Sequence, residues 1–167
     1  MSAVIKWVGA MLILGAASGL VWLWLAEPAE YKVTPQGAIL DEQGAKGRFG
    51  VIVTFVVIGM IAALLWGLLA GMQLSDRGWV MVPVFALASA AAGLIAWRVG
   101  VVLGPPDPAT VRDTTIGHKI PQRLAIDTAS PFLVWPIFAL MGLFIAAYST
   151  GDRGDKGARH RDEVLGG

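Results

Sequence analysis

Residues Gly50–Leu74, GVIVTFVVIGMIAALLWGLLAGMQL, contain no charged side chain. At about 1.5 Å per residue, a helix of this length crosses the roughly 30 Å hydrocarbon core of a bilayer. Three further charge-free stretches of similar length occupy Trp7–Ala26, Gly78–Trp97 and Thr128–Gly151. Because backbone amides must be hydrogen-bonded within the segment when lipid surrounds it, these stretches predict four transmembrane α-helices.

The amino-acid composition is typical of an integral membrane protein. Hydrophobic residues make up 56% of the 167 residues and charged residues 15%, against about 25% charged in a typical soluble domain. The net charge of +1 predicts no nucleic-acid partner. The sequence holds no cysteine, which excludes disulfides and thiolate metal ligands.

The predicted organisation is a four-span membrane domain, residues 1–150, followed by a charged and disordered cytoplasmic tail, residues 151–167. The glycine-rich, charged composition of the tail is typical of disorder. The spans and the two long external loops have the following predicted limits: spans 5–26, 50–74, 79–103 and 131–150, and loops 27–49 and 104–130. The four residues Ser75–Gly78 form a short turn, which predicts that the second and third helices make an antiparallel hairpin.

The two long loops have strand-like segments and lie on the same side of a four-span protein. In the first loop, Tyr31–Val33 and Ala38–Leu40 flank Thr34-Pro35-Gln36-Gly37, whose proline and glycine favour a β-turn. In the second loop, Arg123–Asp127 is a candidate strand. The predicted fold class is therefore an all-α membrane protein, a four-transmembrane-helix bundle with a small loop and β-hairpin cap on the extracytoplasmic side. Two disordered loops are the alternative.

Basic residues give the orientation only weakly. The termini and short turn carry as many Lys and Arg residues as the two long loops do, but four of them are concentrated between Arg153 and Arg161, directly after the last span. The positive-inside rule then favours cytoplasmic termini in a multi-pass protein of the plasma membrane. A cleaved signal peptide is the alternative for the first span, although its apolar run is long for one.

Small residues at four-residue spacing form a stripe along the second span: Gly59, Ala63, Gly67 and Gly71. Such stripes allow two helix backbones to approach closely in a membrane. The stripe either packs inside the bundle or docks another membrane protein, and it is a candidate interaction site in the second case.

Trp97 and Arg98 are the other candidate interaction residues. Arg98 stands six residues before Gly104, within the third span. A charge at such a position marks a functional site by default and needs a partner, for which Glu27 and Asp127 are candidates. The alternative is that its side chain extends to the loop-side interface without a further role.

The sequence offers no constellation for catalysis. No Asp or Glu lies within a span, and His118 and His160 fall on opposite sides of the predicted membrane. Ser89 has no histidine at matching depth to activate it. We therefore expect no enzyme activity, no catalytic residue, no metal and no cofactor.

Three segments carry a resemblance: Lys46-Gly47-Arg48-Phe49, then Ala96-Trp97-Arg98-Val99-Gly100-Val101-Val102-Leu103-Gly104-Pro105-Pro106, and Phe132-Leu133-Val134-Trp135-Pro136. Together they resemble a family of small four-helix actinobacterial membrane proteins of unknown function, over nearly the whole chain. The resemblance implies four spans with both long loops outside. It implies no activity.

The function expected from the sequence is that of a non-enzymatic accessory or structural subunit docked on a larger membrane complex. A respiratory or cell-envelope assembly is the first host to consider, so that other integral membrane proteins and the lipid bilayer are the expected partners. The alternative is a transporter of small solutes or lipids that acts as a homo-oligomer around Arg98.

Overall fold

Four long helices dominate the computed structural model, which describes residues 2–26, 30–34, 37–39, 42–105, 119–121, 126 and 128–165. The helices are α1 (Ser2–Leu25), α2 (Glu42–Gln73), α3 (Met81–Leu103) and α4 (Ser130–Leu165). Each coincides with a segment long and apolar enough to cross a membrane: Ala3–Leu25, Phe49–Gln73, Gly78–Leu103 and Ser130–Ser149. The third segment begins three residues before α3 itself. The prediction of four helices long and apolar enough to span a membrane is confirmed.

Two helices extend beyond the apolar segments that predicted them. Helix α2 begins at Glu42, inside the predicted loop 27–49. Helix α4 continues to Leu165, so the tail predicted to be disordered is helical over most of its length. Both helices are longer than predicted for a physical reason. Charged residues end the part of a helix that lipid can cover, but they do not interrupt its backbone hydrogen bonds. In the tail, Asp152 precedes Lys156 by four residues, a spacing that favours a helix.

Short strands accompany the helices in both long connections: β1 (Glu30–Thr34), β2 (Gly37–Ile39) and β3 (Lys119–Pro121). Strand β1 pairs antiparallel with β2 and with β3. The pairing of β1 with β3 brings segments of the two connections to the same end of the four-helix bundle. The segment Arg123–Asp127, predicted as a strand, lies outside the described residues except for Ile126.

The helices associate as two tight parallel pairs, α1 with α3 and α2 with α4. In the first pair Gly15 lies against Ala92, and Gly19 lies against Ala96. In the second pair Gly67 lies against Ala139. Because lipid tails are as apolar as leucine, close backbone approach through small residues is what holds such helices together.

Helices α2 and α3 do not form the packed hairpin predicted from their short connection. They share few close contacts, because α4 is the main neighbour of α2 and α1 is that of α3. The connection is a 3₁₀ helix, Ser75–Val80, interrupted at Gly78, whose φ of 66° favours glycine. At about 2.0 Å per residue, a 3₁₀ helix of this length reaches across the diagonal of a bundle whose neighbouring axes lie about 8–10 Å apart.

Aromatic side chains fill the space between the two tight pairs. Trp66 of α2 and Phe85 of α3 have ring centroids 4.5 Å apart. The rings of Trp22 and Phe55 join α1 to α2 at 5.2 Å. The bundle core therefore has small residues where the helices of a pair approach most closely, and large rings that join one pair to the other.

Two glycines of α1 differ in their surroundings, and they provide a matched test of the close contact between α1 and α3. A β-carbon on Gly15 would lie 2.5 Å from the carbonyl oxygen of Ala92, whereas one on Gly9 meets nothing within 4 Å. We expect Gly15→Ala to lower the free energy of unfolding by about 1–3 kcal/mol, because the helices must separate to admit the methyl group. Gly9→Ala should leave it unchanged or raise it slightly, because alanine favours helix.

The measurement is denaturant-induced unfolding in detergent micelles, followed by circular dichroism for both variants. Equal effects of the two substitutions would show that α1 and α3 do not meet at Gly15.

Candidate functional site

The small-residue stripe of α2 lies inside the bundle, against α4. Ala63 is fully buried, and a β-carbon on Gly71 would lie 2.8 Å from the β-carbon of Ala146. Gly67 is closer still to the Ala139 backbone. Of the two hypotheses for this stripe, the structure places it in the internal interface, so it is not a surface available to a partner.

Gly59, the fourth member of the stripe, helps to enclose Trp135 of α4. A β-carbon on Gly59 would lie 2.6 Å from Trp135 Nε1, and one on Gly93 of α3 would lie 2.8 Å from Cδ1 of the same ring. Trp135 is fully buried as a result. The two glycines thus provide the space in which one large ring links three helices.

Four tryptophans of the core differ in their hydrogen bonding. Trp22 Nε1 donates to the Val51 carbonyl at 2.9 Å, and Trp66 Nε1 donates to the Trp7 carbonyl at 3.1 Å. The Nε1 atoms of Trp97 and Trp135 are buried and have no hydrogen-bond partner among the residues that the structure describes. A buried donor without a partner costs about 1–3 kcal/mol, so two of the four rings stabilise the bundle by packing alone.

Most of the tryptophans near the ends of the four spans are core residues. Trp22 and Trp135 are fully buried, and Trp7 and Trp97 pack against the core. Only Trp24 and Trp79 are strongly exposed, by 85% and 81%. Position along a span therefore does not decide whether a tryptophan is buried, because burial depends on which face of the helix carries the ring.

Arg98 lies on the outside of the bundle. Its side chain is exposed, and its guanidinium carbon lies 5.2 Å from the centroid of the Trp97 ring, a distance typical of a cation–π contact. The side chains that the structure describes include no carboxylate, and the candidate partners Glu27 and Asp127 lie outside the described residues. The structure therefore pairs the Arg98 guanidinium with the Trp97 ring on α3, whereas the α2 stripe faces α4.

Titratable side chains are confined to the surface of the described bundle. Among the described side chains, those of ionisable residue types are Lys6, Arg98 and Tyr148, and all three are exposed. In the described part of the chain no group of His, Cys, Asp or Glu side chains is suited to a metal ion. His118 lies outside that part. Ser89 is buried, and its hydroxyl donates to the Phe85 carbonyl of its own helix at 2.7 Å.

The sequence contains a signal for the α2–α4 interface that the prediction did not use. Helix α4 carries Trp135, Ala139, Gly142 and Ala146 at spacings of four, three and four residues, which places them on one helix face. That face meets the α2 stripe, because Gly142 lies against Leu64 and Leu68. Two complementary small-residue stripes in one chain thus indicate which two helices pair.

Comparison of the chain with protein-family models, with curated proteins and with solved structures found no match. The resemblance to a family of actinobacterial membrane proteins consequently stays a prediction.

Two substitutions test the difference between hydrogen-bonded and unpaired indoles. Trp22→Phe removes the hydrogen bond to Val51 and leaves a smaller ring in a buried position, so we expect clear destabilisation. Trp135→Phe leaves a similar gap but also removes a buried donor that has no partner. The loss for Trp22→Phe should therefore exceed that for Trp135→Phe by about 1–2 kcal/mol.

Both variants are unfolded in the same detergent, and the free energies of unfolding are compared with that of the unsubstituted protein. A larger loss for Trp135→Phe would mean that the Trp135 N–H group makes a stabilising hydrogen bond.

Proposed function

We propose that this protein is a non-enzymatic accessory subunit of a larger complex in the plasma membrane, with its termini in the cytoplasm. The proposal rests on the kinds of side chain that fill the bundle interior. Large rings and closely apposed glycines occupy it, and no described titratable side chain is buried there. Acid–base catalysis and proton-coupled transport both need such side chains at the site of action.

The proposed docking surface is a small cap at the loop end of the bundle. The pairing of β1 with both β2 and β3 supports this proposal, because it connects segments of the two long loops. Strands β2 and β3 are the outer strands of that pairing, and an outer strand offers unpaired backbone groups to another chain. Cytoplasmic termini would place this cap on the extracytoplasmic side.

A transporter that acts as a homo-oligomer is the second candidate, and the outward position of Arg98 is the observation that favours it. Because the interior of one bundle is filled by rings, a polar route past Arg98 would lie between copies of the chain. This hypothesis predicts self-association, whereas the accessory hypothesis predicts a different protein as the main partner.

Affinity purification in mild detergent, with mass spectrometry of the recovered proteins, separates the two hypotheses. We expect recovery at fixed stoichiometry with subunits of a larger membrane complex. A variant in which residues 30–39 are replaced by a Gly-Ser linker of equal length should lose those subunits, because the linker lacks strands β1 and β2. The matched control replaces residues 152–161, at the other end of the bundle, with the same linker and should retain them.

Recovery of the chain only with itself would contradict the accessory proposal and favour the homo-oligomeric transporter. Equal retention of partners by both linker variants would show that the proposed cap is not the docking surface. Circular dichroism of each variant checks that the four helices are still formed.

A further inference from the structure

Arg98 lies in a row of apolar side chains on the outer face of α3. Leu94, Arg98 and Val102 are four residues apart, so they share one helix face. The exposed fractions of Leu94 and Val102 are 52% and 73%. A face with such residues on a transmembrane helix contacts lipid, and the guanidinium of Arg98 is therefore directed to the membrane and not to the bundle core.

The Trp97 ring holds this guanidinium in place. Trp97 is itself anchored, because its ring meets the Phe132 ring of α4 edge-on at 5.8 Å and 87°. The Arg98 guanidinium carbon lies 5.2 Å from the centroid of the Trp97 ring. Arginine stays charged at any physiological pH and presents five N–H donors in a plane, a geometry that matches phosphate oxygens.

The depth of Arg98 corresponds to the inner edge of the headgroup region. Its Cα lies six residues before Gly104, or about 9 Å along the helix, and a long arginine side chain extends from such a depth to the interface. The parallel contact of Gly19 with Ala96 places Val21 of α1 at the level of Arg98, and the exposed Trp24 lies one turn nearer the loops. An exposed tryptophan at that level is typical of the membrane interface.

We propose that Arg98, oriented by Trp97, binds the phosphate group of a phospholipid in the leaflet on the loop side, with preference for an anionic headgroup. Phosphate supplies several acceptor oxygens for the guanidinium fork, and charge-assisted bonds of this kind are about twice as strong as neutral ones. In a zwitterionic lipid the choline cation competes for the same phosphate. The flanking Leu94 and Val102 side chains contact the acyl chains, which a soluble phosphate ion lacks. The proposal does not depend on the accessory function.

The test is native mass spectrometry of the full chain, delipidated in a neutral detergent and titrated with phosphatidylglycerol or phosphatidylcholine of identical acyl chains. The unsubstituted protein should bind the first phosphatidylglycerol about tenfold more tightly, as expected for a paired charge. Arg98→Leu should bind both lipids equally. Arg98→Lys should keep part of the preference, because an ammonium retains the charge without the planar fork.

Lys6→Leu is the matched control, because it removes one exposed cation at the opposite end of the bundle. It should leave the preference unchanged, and millimolar inorganic phosphate should not displace the bound lipid. The proposal fails if the unsubstituted protein binds both lipids equally, if Arg98→Leu keeps the preference, or if Lys6→Leu loses as much as Arg98→Leu. Displacement by inorganic phosphate would show an anion site without lipid specificity.

Discussion

Close contact between helix backbones is the interaction on which the rest of this structure depends. In a membrane, an apolar side chain gains little free energy by moving from the lipid acyl chains to the surface of another helix. Helix association therefore relies on van der Waals contact and on the few hydrogen bonds available. Gly15 and Gly19 allow α1 to touch α3, and Gly67 allows α2 to touch α4. Each of these sites excludes even one additional carbon atom, which makes the pairing of helices specific.

The position of the large rings follows from this pairing. Two tight pairs leave a wider space between them, and Trp22, Phe55, Trp66, Phe85 and Trp135 occupy it. Large rings are costly to displace, because each makes many dispersion contacts at once. Two buried indole N–H groups, those of Trp97 and Trp135, have no partner in the described part of the chain. Gly59 and Gly93 provide the space for Trp135 and thereby connect the two pairs through one residue.

A filled interior moves the search for function to the surface. Within the described bundle, each titratable side chain is exposed, and Arg98 shares a helix face with the exposed apolar residues Leu94 and Val102. A cation in that setting is stabilised by a phosphate or by a carboxylate of another chain.

The number and length of the spans could be predicted from sequence because lipid acts on every residue of a helix, so the absence of charge is a local signal. The ends of α2 and α4 could not, because a helix continues into water where its backbone bonds remain intact. The sequence identifies the α2 stripe as a contact surface, but it does not show whether that surface meets a helix of the same bundle or another protein. The site at Trp97 and Arg98 was identified by residue type, whereas its outward direction depends on which face α3 presents to its neighbours.

The sequence by itself therefore determined that the chain has four helices long and apolar enough to span a membrane, and that Gly59, Ala63, Gly67 and Gly71 share one face of a helix. Only the tertiary structure decided that this face meets α4, that α2 and α3 lie across the bundle from each other, and that Trp135 is buried while Arg98 is exposed. The physical reason is that hydropathy and periodicity are properties of one helix, whereas pairing depends on how two helix surfaces fit.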